Sequence, residues 1–171
     1  MRLPRSIARA PIALYRIGLG GLLGHRFVLL EHRGRRSGRI RQVVLETLGI
    51  DTNVIHVVSG YGWSAQWLRN LSADSRVRVT CGWSRPRGAR AQILGPVDAV
   101  AVLEDYRQRH RLAARALAPA LGLPQLASDA PLPVELGERL PVVRLTLRSG
   151  SHDRTAHHAD SHLPRPDGAA G

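Results

Sequence analysis

Apolar and polar positions alternate in short runs along most of this chain, with turn residues between the runs. Residues 26–32 and 41–48 are rich in Val and Leu and bounded by Gly34, Gly38 and Gly49, which predicts two strands around a glycine-bearing loop. Gly49-Ile50-Asp51-Thr52-Asn53 is turn chemistry, and residues 54–59 then predict a third strand and a meander. Ser59-Gly60-Tyr61-Gly62 reads as a flexible loop. Ser64 follows as an N-cap for a short helix through Gln66, Trp67, Asn70 and Leu71. Residues 76–81 and 88–94 are two more strands. From Asp98 the period becomes helical, with Val100, Leu103, Tyr106, His110, Ala114 and Leu117 near one stripe, Asp105 and Arg109 spaced to pair, and Arg107, Arg111 and Arg115 in a basic row. Pro119, Gly122 and Pro124 stop that helix, an irregular Pro-containing stretch runs to Leu140, and residues 141–148 predict a last strand. Six strands, mostly antiparallel, with one short inserted helix and one long helix before the final strand, predict a mainly β, α+β domain built as a small barrel.

Composition narrows the chemistry. At 171 residues and 43% apolar content the chain suits one domain with a buried core, spanning residues 25–148. The formal net charge is +12, and every one of the 25 basic residues is arginine. Without lysine there is no Schiff-base chemistry and no phosphate loop ending in Gly-Lys-Ser/Thr. What remains is a set of planar, bidentate cations suited to phosphate, carboxylate or nucleic acid. The single Cys81 lies on the valine face of its strand and reads as a buried thiol in a reducing, cytoplasmic compartment. Residues 1–24 carry Arg2, Arg5, Arg9 and Arg16 and read as a basic amphipathic helix, either packed on the barrel or resting on the inner face of a membrane. Residues 149–171 read as a disordered tail whose four histidines have no fixed ligand geometry, so no metal site is assigned.

The stretch HRGRRSGRIR, residues 32–41, concentrates the chemistry. A tight turn between two strands brings Arg35, Arg36 and Arg39 together, and Ser37 and Gly38 offer backbone N–H groups at the bend, as an anion site requires. A solvated basic hairpin turn is the plainer alternative. Trp67 and Asn70 lie three apart on one helical face, either turned to a common ligand or serving as a core indole and a capping amide. The helix N-terminus beside Gly60 and Gly62 also favours an anion. No HExxH, paired CxxC, GxSxG or post-strand GxGxxG is present. Brought together at a barrel groove, the arginine loop and the tryptophan segment would make an anion clamp with an aromatic wall, a slot for a flat redox cofactor with a phosphorylated tail.

In these residues the chain resembles the deazaflavin-dependent nitroreductases, or coenzyme F420-dependent quinone reductases, of the split β-barrel class. Gly34-Arg35-Arg36-Ser37-Gly38 with Arg41, then Val57-Val58-Ser59-Gly60, then Trp67, Asn70 and Leu71, follow the family's order and spacing from about Leu29 to Asp74. The resemblance implies that Arg35, Arg36, Ser37, Gly38 and Arg41 hold the coenzyme's phosphate and oligoglutamate tail. It further implies that the Ser59, Gly60, Tyr61 and Gly62 backbone lies beside the deazaflavin ring, with Trp67 and Asn70 supporting that pocket. Hydride would pass to a small-molecule electrophile such as a quinone, nitroaromatic or activated enone, with Tyr61, then Tyr106, as the candidate catalytic proton donor. The chain departs from the family in a shorter Gly60-Tyr61-Gly62-Trp63 loop and in Arg36 where a lysine is common. Relatives of the same fold that bind FMN or haem supply the alternative cofactors, but several arginines suit a polyanionic tail better than one phosphate. A non-catalytic nucleic-acid-binding barrel is the competing class, favoured by charge and disfavoured by 4% aromatic content without interleaved basic and aromatic residues. The oligomeric state is left open.

Overall fold

The computed structural model of the protein describes residues 24–112, 114, 115, 118 and 124–148. Six strands close a barrel: β1 (Phe27–Arg33), β2 (Ile40–Asp51), β3 (Val54–Val58), β4 (Arg76–Cys81), β5 (Arg87–Ile93) and β6 (Val142–Leu147). They run in the order β1-β2-β3-β6-β5-β4, every pair antiparallel, and β4 returns to β1 so that no edge is left unpaired. The expected fold class is the observed one.

Strand alternation fills the interior. Val28 and Leu30, Ile55 and Val57, Val77 and Val79, Ala89 and Ala91, and Val143 and Leu145 point inward and are buried together with Leu45. The helix α1 (Gln66–Ala73) covers one end of this core with Trp67, Leu68 and Leu71. Burying side chains of this size stabilises the fold by about 1.5–3 kcal/mol each. Cys81 packs at the margin of the same cluster, and burial pushes its thiol pKa up, as for an unreactive cysteine.

A second apolar layer lies outside the barrel, where α2 (Pro96–Arg109) and α3 (Val134–Arg139) cover Leu48 and Val142. The helix α2 begins two residues before Asp98 because Pro96 suits the first helical position, where a missing N–H costs nothing. Of the expected stripe, Val100, Leu103, Tyr106 and Ala114 are buried; His110 is exposed as the C-cap, and Leu117 lies outside the described residues. Asp105 and Arg109 pair as expected, Nε to Oδ1 at 2.8 Å.

Several local expectations are corrected. Ser64 does not cap α1: it sits in a 3₁₀ turn, Gly62–Ser64, and its hydroxyl donates to the Tyr61 carbonyl at 2.6 Å, leaving Ala65 at the N-cap. The turn after β2 shrinks to Thr52 and Asn53, because Gly49 belongs to the strand beside a bulge: pairing passes from Thr47↔Val57 to Gly49↔His56 and skips Leu48. The basic row is broken, since Arg107 is buried and its Nη1 donates to the Ser128 and Ala130 carbonyls, both at 2.7 Å. Those bonds fasten the stretch before Leu140, which is ordered as a 3₁₀ turn (Pro124–Ala127) and α3. The proposed N-terminal helix, apart from Gly24, and the histidine-rich tail lie outside the described residues. Among the described residues no helix is long and apolar enough to cross a membrane.

Two measurements probe this packing. A Cβ at Gly137 would lie 2.2 Å from the Pro96 carbonyl oxygen, so Gly137→Ala should lose about 1–3 kcal/mol in chemical denaturation. An unchanged midpoint would mean that α2 and α3 do not touch there. Asp74 accepts from the Arg76 N–H at 3.0 Å and from its guanidinium at 2.9 and 3.1 Å, which holds the carboxyl at about 2 rather than 3.8. A depressed folded pKa stabilises above the unfolded value and is lost as pH falls through the folded one. Acid titration of stability between 3.8 and about 2 should therefore flatten in Asp74→Asn.

Candidate functional site

The arginine loop is a closed six-residue turn between β1 and β2. The Gly34 N–H donates to the Arg39 carbonyl, and the Gly38 N–H to the Gly34 carbonyl, each at 2.8 Å. Gly38 has φ 65°, the left-handed conformation that favours glycine, so the bend depends on it. Its N–H is thus used inside the turn rather than offered to a ligand, contrary to the expectation for Gly38. The side chains of Arg35, Arg36, Ser37, Arg39 and Arg41 stand exposed around this frame. Among the described residues none of the four arginines meets a carboxylate within ion-pairing distance.

The turn is tied to α1. Asn70 Oδ1 accepts from the Arg35 backbone N–H at 3.2 Å and from Arg35 Nη1 at 3.1 Å, and Gln66 Oε1 accepts from the same Nη1 at 3.1 Å. Gly34, Arg35, Arg36, Ser37, Arg41, Gln66 and Asn70 together line a polar chamber of about 310 Å³. Against it lies a larger, mostly apolar cavity of about 510 Å³ between β2, α1 and the outer helices. Trp67, Gly60 and Tyr61 form one side of that cavity, Leu45 and Leu103 another, and Leu126 and Leu140 a third. Arg41, Gln66 and Asn70 border both chambers, which makes them one site with a polar and an apolar end.

Electrostatics differ between the two ends. In the apolar end the Tyr106 hydroxyl donates to Glu46 Oε1 at 3.3 Å, and Arg26 Nη2 lies 3.0 Å from the same oxygen. Burial, reinforced by the Glu46 charge, pushes the Tyr106 phenol up to about 12. His32 is buried beside Asn70, whose Nδ2 lies 3.3 Å from its Nδ1; burial lowers the imidazole pKa, the Arg33 backbone opposes, and Arg41 lowers it further.

The anticipated site residues separate by environment. Arg35, Arg36, Ser37, Arg41 and Asn70 converge on the polar chamber, and Gly60, Tyr61 and Trp67 on the apolar one. Ser59 and Gly62 do not reach it. Ser59 is 1% exposed, takes the Pro141 carbonyl on its N–H, and donates its hydroxyl to the Gly62 carbonyl at 2.8 Å. The loop expected to be flexible is therefore pinned, also through Trp63 Nε1 donating to the Glu138 carbonyl at 2.8 Å. Tyr61 is 71% exposed at the mouth, whereas Tyr106 is buried. Sequence reasoning gave no role to His32, Gln66 or Glu46. Gln66 was within reach, since it stands one helical turn before Asn70; Glu46, the one charge between Arg41 and Asp51 of β2, carried no signal.

A closed six-stranded antiparallel barrel, here with an apolar cavity beside an arginine-lined chamber, is the split-barrel architecture. The FMN-binding, pyridoxamine 5'-phosphate oxidase-related protein of Nostoc punctiforme shares this fold, with a TM-score of 0.52 over 86% of this chain and 81% of that one at 11% identity. An F420-H2-dependent reductase superposes with a TM-score of 0.43 at 23% identity, covering 70% of this chain and 93% of that one. An F420 reductase gives 0.44 at 13% identity over 73% and 88%. No protein of curated function matches the chain. The family model described as F420H(2)-dependent quinone reductase matches residues 12–139, and the chain belongs to that family of oxidoreductases.

The environment of Tyr106 can be read by spectrophotometric pH titration. Its phenolate should emerge near 12 rather than 10.0, and Tyr106→Phe should remove that late step. A tyrosine population titrating wholly near 10.0 would mean that Tyr106 is not buried against Glu46.

Proposed function

We propose that the protein uses coenzyme F420 to reduce a small-molecule electrophile of the quinone, nitroaromatic or activated-enone type. The observation that carries this reading is the sharing of Arg41, Gln66 and Asn70 by an apolar chamber and an arginine-lined one. One ligand with a flat ring and an anionic tail would fill both. The residues fit such a group, because exposed guanidinium groups without carboxylate partners are free to take phosphate and carboxylate oxygens.

Arg36, Ser37 and Arg41 would hold the tail, with Arg35 kept in place by Gln66 and Asn70. Each charge-assisted contact is worth about 1.5–3 kcal/mol when well made. Trp67 offers a planar wall to the ring, and Gly60 leaves room for it beside the Tyr61 backbone. When bound, the deazaflavin supplies the hydride. The leucines of the opposite walls exclude water and orient the acceptor against the ring. Tyr61 is exposed at the mouth of the apolar chamber, which supports giving its hydroxyl the role of delivering a proton to the reduced product. Tyr106 keeps its proton through the neutral range and serves as a hydrogen-bonding wall residue. FMN is the second reading, since the apolar chamber suits any flavin ring, but one phosphate would leave most of the arginines unused.

Fluorescence titration with oxidised coenzyme F420, FMN and a single-stranded oligonucleotide separates these readings. Coenzyme F420 should bind tightest, more weakly as salt rises, and about tenfold to a hundredfold more weakly in Arg36→Ala. Preference for FMN, or binding of the oligonucleotide alone, would remove the F420 assignment. In steady-state quinone reduction, Tyr61→Phe should lower kcat by about 10²-fold and Tyr106→Phe by less. Equal losses would take the proton-donor role from Tyr61.

A further inference from the structure

His32 is a buried polar side chain that faces the apolar chamber, yet it is linked to the polar one through a single amide. Asn70 has one end that only accepts and one that only donates. Its Oδ1 receives two hydrogen bonds from Arg35, at 3.2 and 3.1 Å, which turns Nδ2 toward His32 Nδ1 at 3.3 Å. Rotating the amide by half a turn would set its NH₂ against both Arg35 donors. Because Nδ2 can only donate, His32 Nδ1 must carry a lone pair, so the ring is neutral with its proton on Nε2.

The balance of the surroundings favours a neutral ring: burial opposes a second proton, a backbone hydrogen bond with Arg33 favours one, and the Arg41 charge opposes it again. Across the sheet His32 pairs with Val77 of β4, which is apolar, and with Arg41 of β2. Asn70 and, beyond it, Arg35 face it from α1 and the turn. Among the described residues no carboxylate pairs with it.

We propose that His32 is a positioning residue for the arginine turn: as the Nε2–H tautomer it holds the Asn70 amide in the one orientation that presents Oδ1 to Arg35. Only the consequence for ligand binding rests on the reading of that turn as the coenzyme tail site. His32 and Arg35 line different chambers and Asn70 lines both, so the geometry of the anion cradle is set partly from the ring side. A ring nitrogen that took a second proton would set a donor against the Asn70 NH₂, and a side chain without an acceptor would leave that NH₂ unpaired; either weakens the amide orientation on which the two Arg35 bonds depend.

The test has one arm that needs no ligand. In the ¹⁵N-labelled full chain, His32 Nδ1 should resonate as an unprotonated ring nitrogen and Nε2 as an N–H, the signals being assigned by their loss in His32→Gln. In Asn70→Ala both should move toward tautomer-averaged positions. In the second arm, affinity for oxidised coenzyme F420 should fall about tenfold in His32→Leu, the scale of one hydrogen bond. It should recover most of that loss in His32→Gln, whose amide oxygen can accept from Asn70, and fall no further when His32→Leu is added to Asn70→Ala. A proton on Nδ1, or additive losses in the double variant, would overturn the proposal. Absence of coenzyme binding by the unaltered chain, with the tautomer as stated, would count against the coenzyme reading and leave the relay in place.

Discussion

A ring of six antiparallel strands has open ends, and at one of them α1 lays Trp67, Leu68 and Leu71 over the barrel core. That single packing requirement places everything else. With its apolar side committed to the barrel, α1 turns Gln66 and Asn70 toward the β1–β2 turn, where they meet Arg35. Trp67 is at once part of the core and a wall of the cavity. The site is built on rigid elements, and the turn beside it is held by hydrogen bonds to α1 rather than by its own sequence alone.

The charge distribution separates structural from available arginines. Arg107 is consumed by two backbone carbonyls and Arg76 by Asp74, while Arg26 shares Glu46 with Tyr106. The arginines of the turn meet no carboxylate, so their mutual repulsion is uncompensated within the described chain. A basic chain can spread its charge anywhere. Here a concentrated part of it borders a cavity.

The barrel was legible in the sequence because each strand alternates against a single core, as in Val77 and Val79 or Val143 and Leu145. Strand ends were less legible, since Gly49 looks like a turn residue and is used beside a bulge. The short helix at Val134–Arg139 was missed because six residues flanked by prolines show no period, and it holds only by packing on α2. At the site, residue types with self-evident chemistry were found: the arginines of the turn, Trp67 and Asn70. His32, Gln66 and Glu46 matter through their partners, which lie 38, 31 and 60 positions away. Such pairings appear only when the chain is folded. Ser59 and Gly62 were assigned toward the ring by resemblance, yet their polar groups close the local turn.

The segment supplying Leu126 is fastened by Arg107 to α2, and its backbone at Leu132 is held by Glu104 of the same helix at 2.8 Å. It hangs from the outer layer rather than from the barrel. One wall of the cavity therefore has a mechanical support separate from that of the arginine turn. A change of bulk along this strap would reshape the cavity wall at Leu126 while leaving untouched the hydrogen bonds that tie the arginine turn to α1.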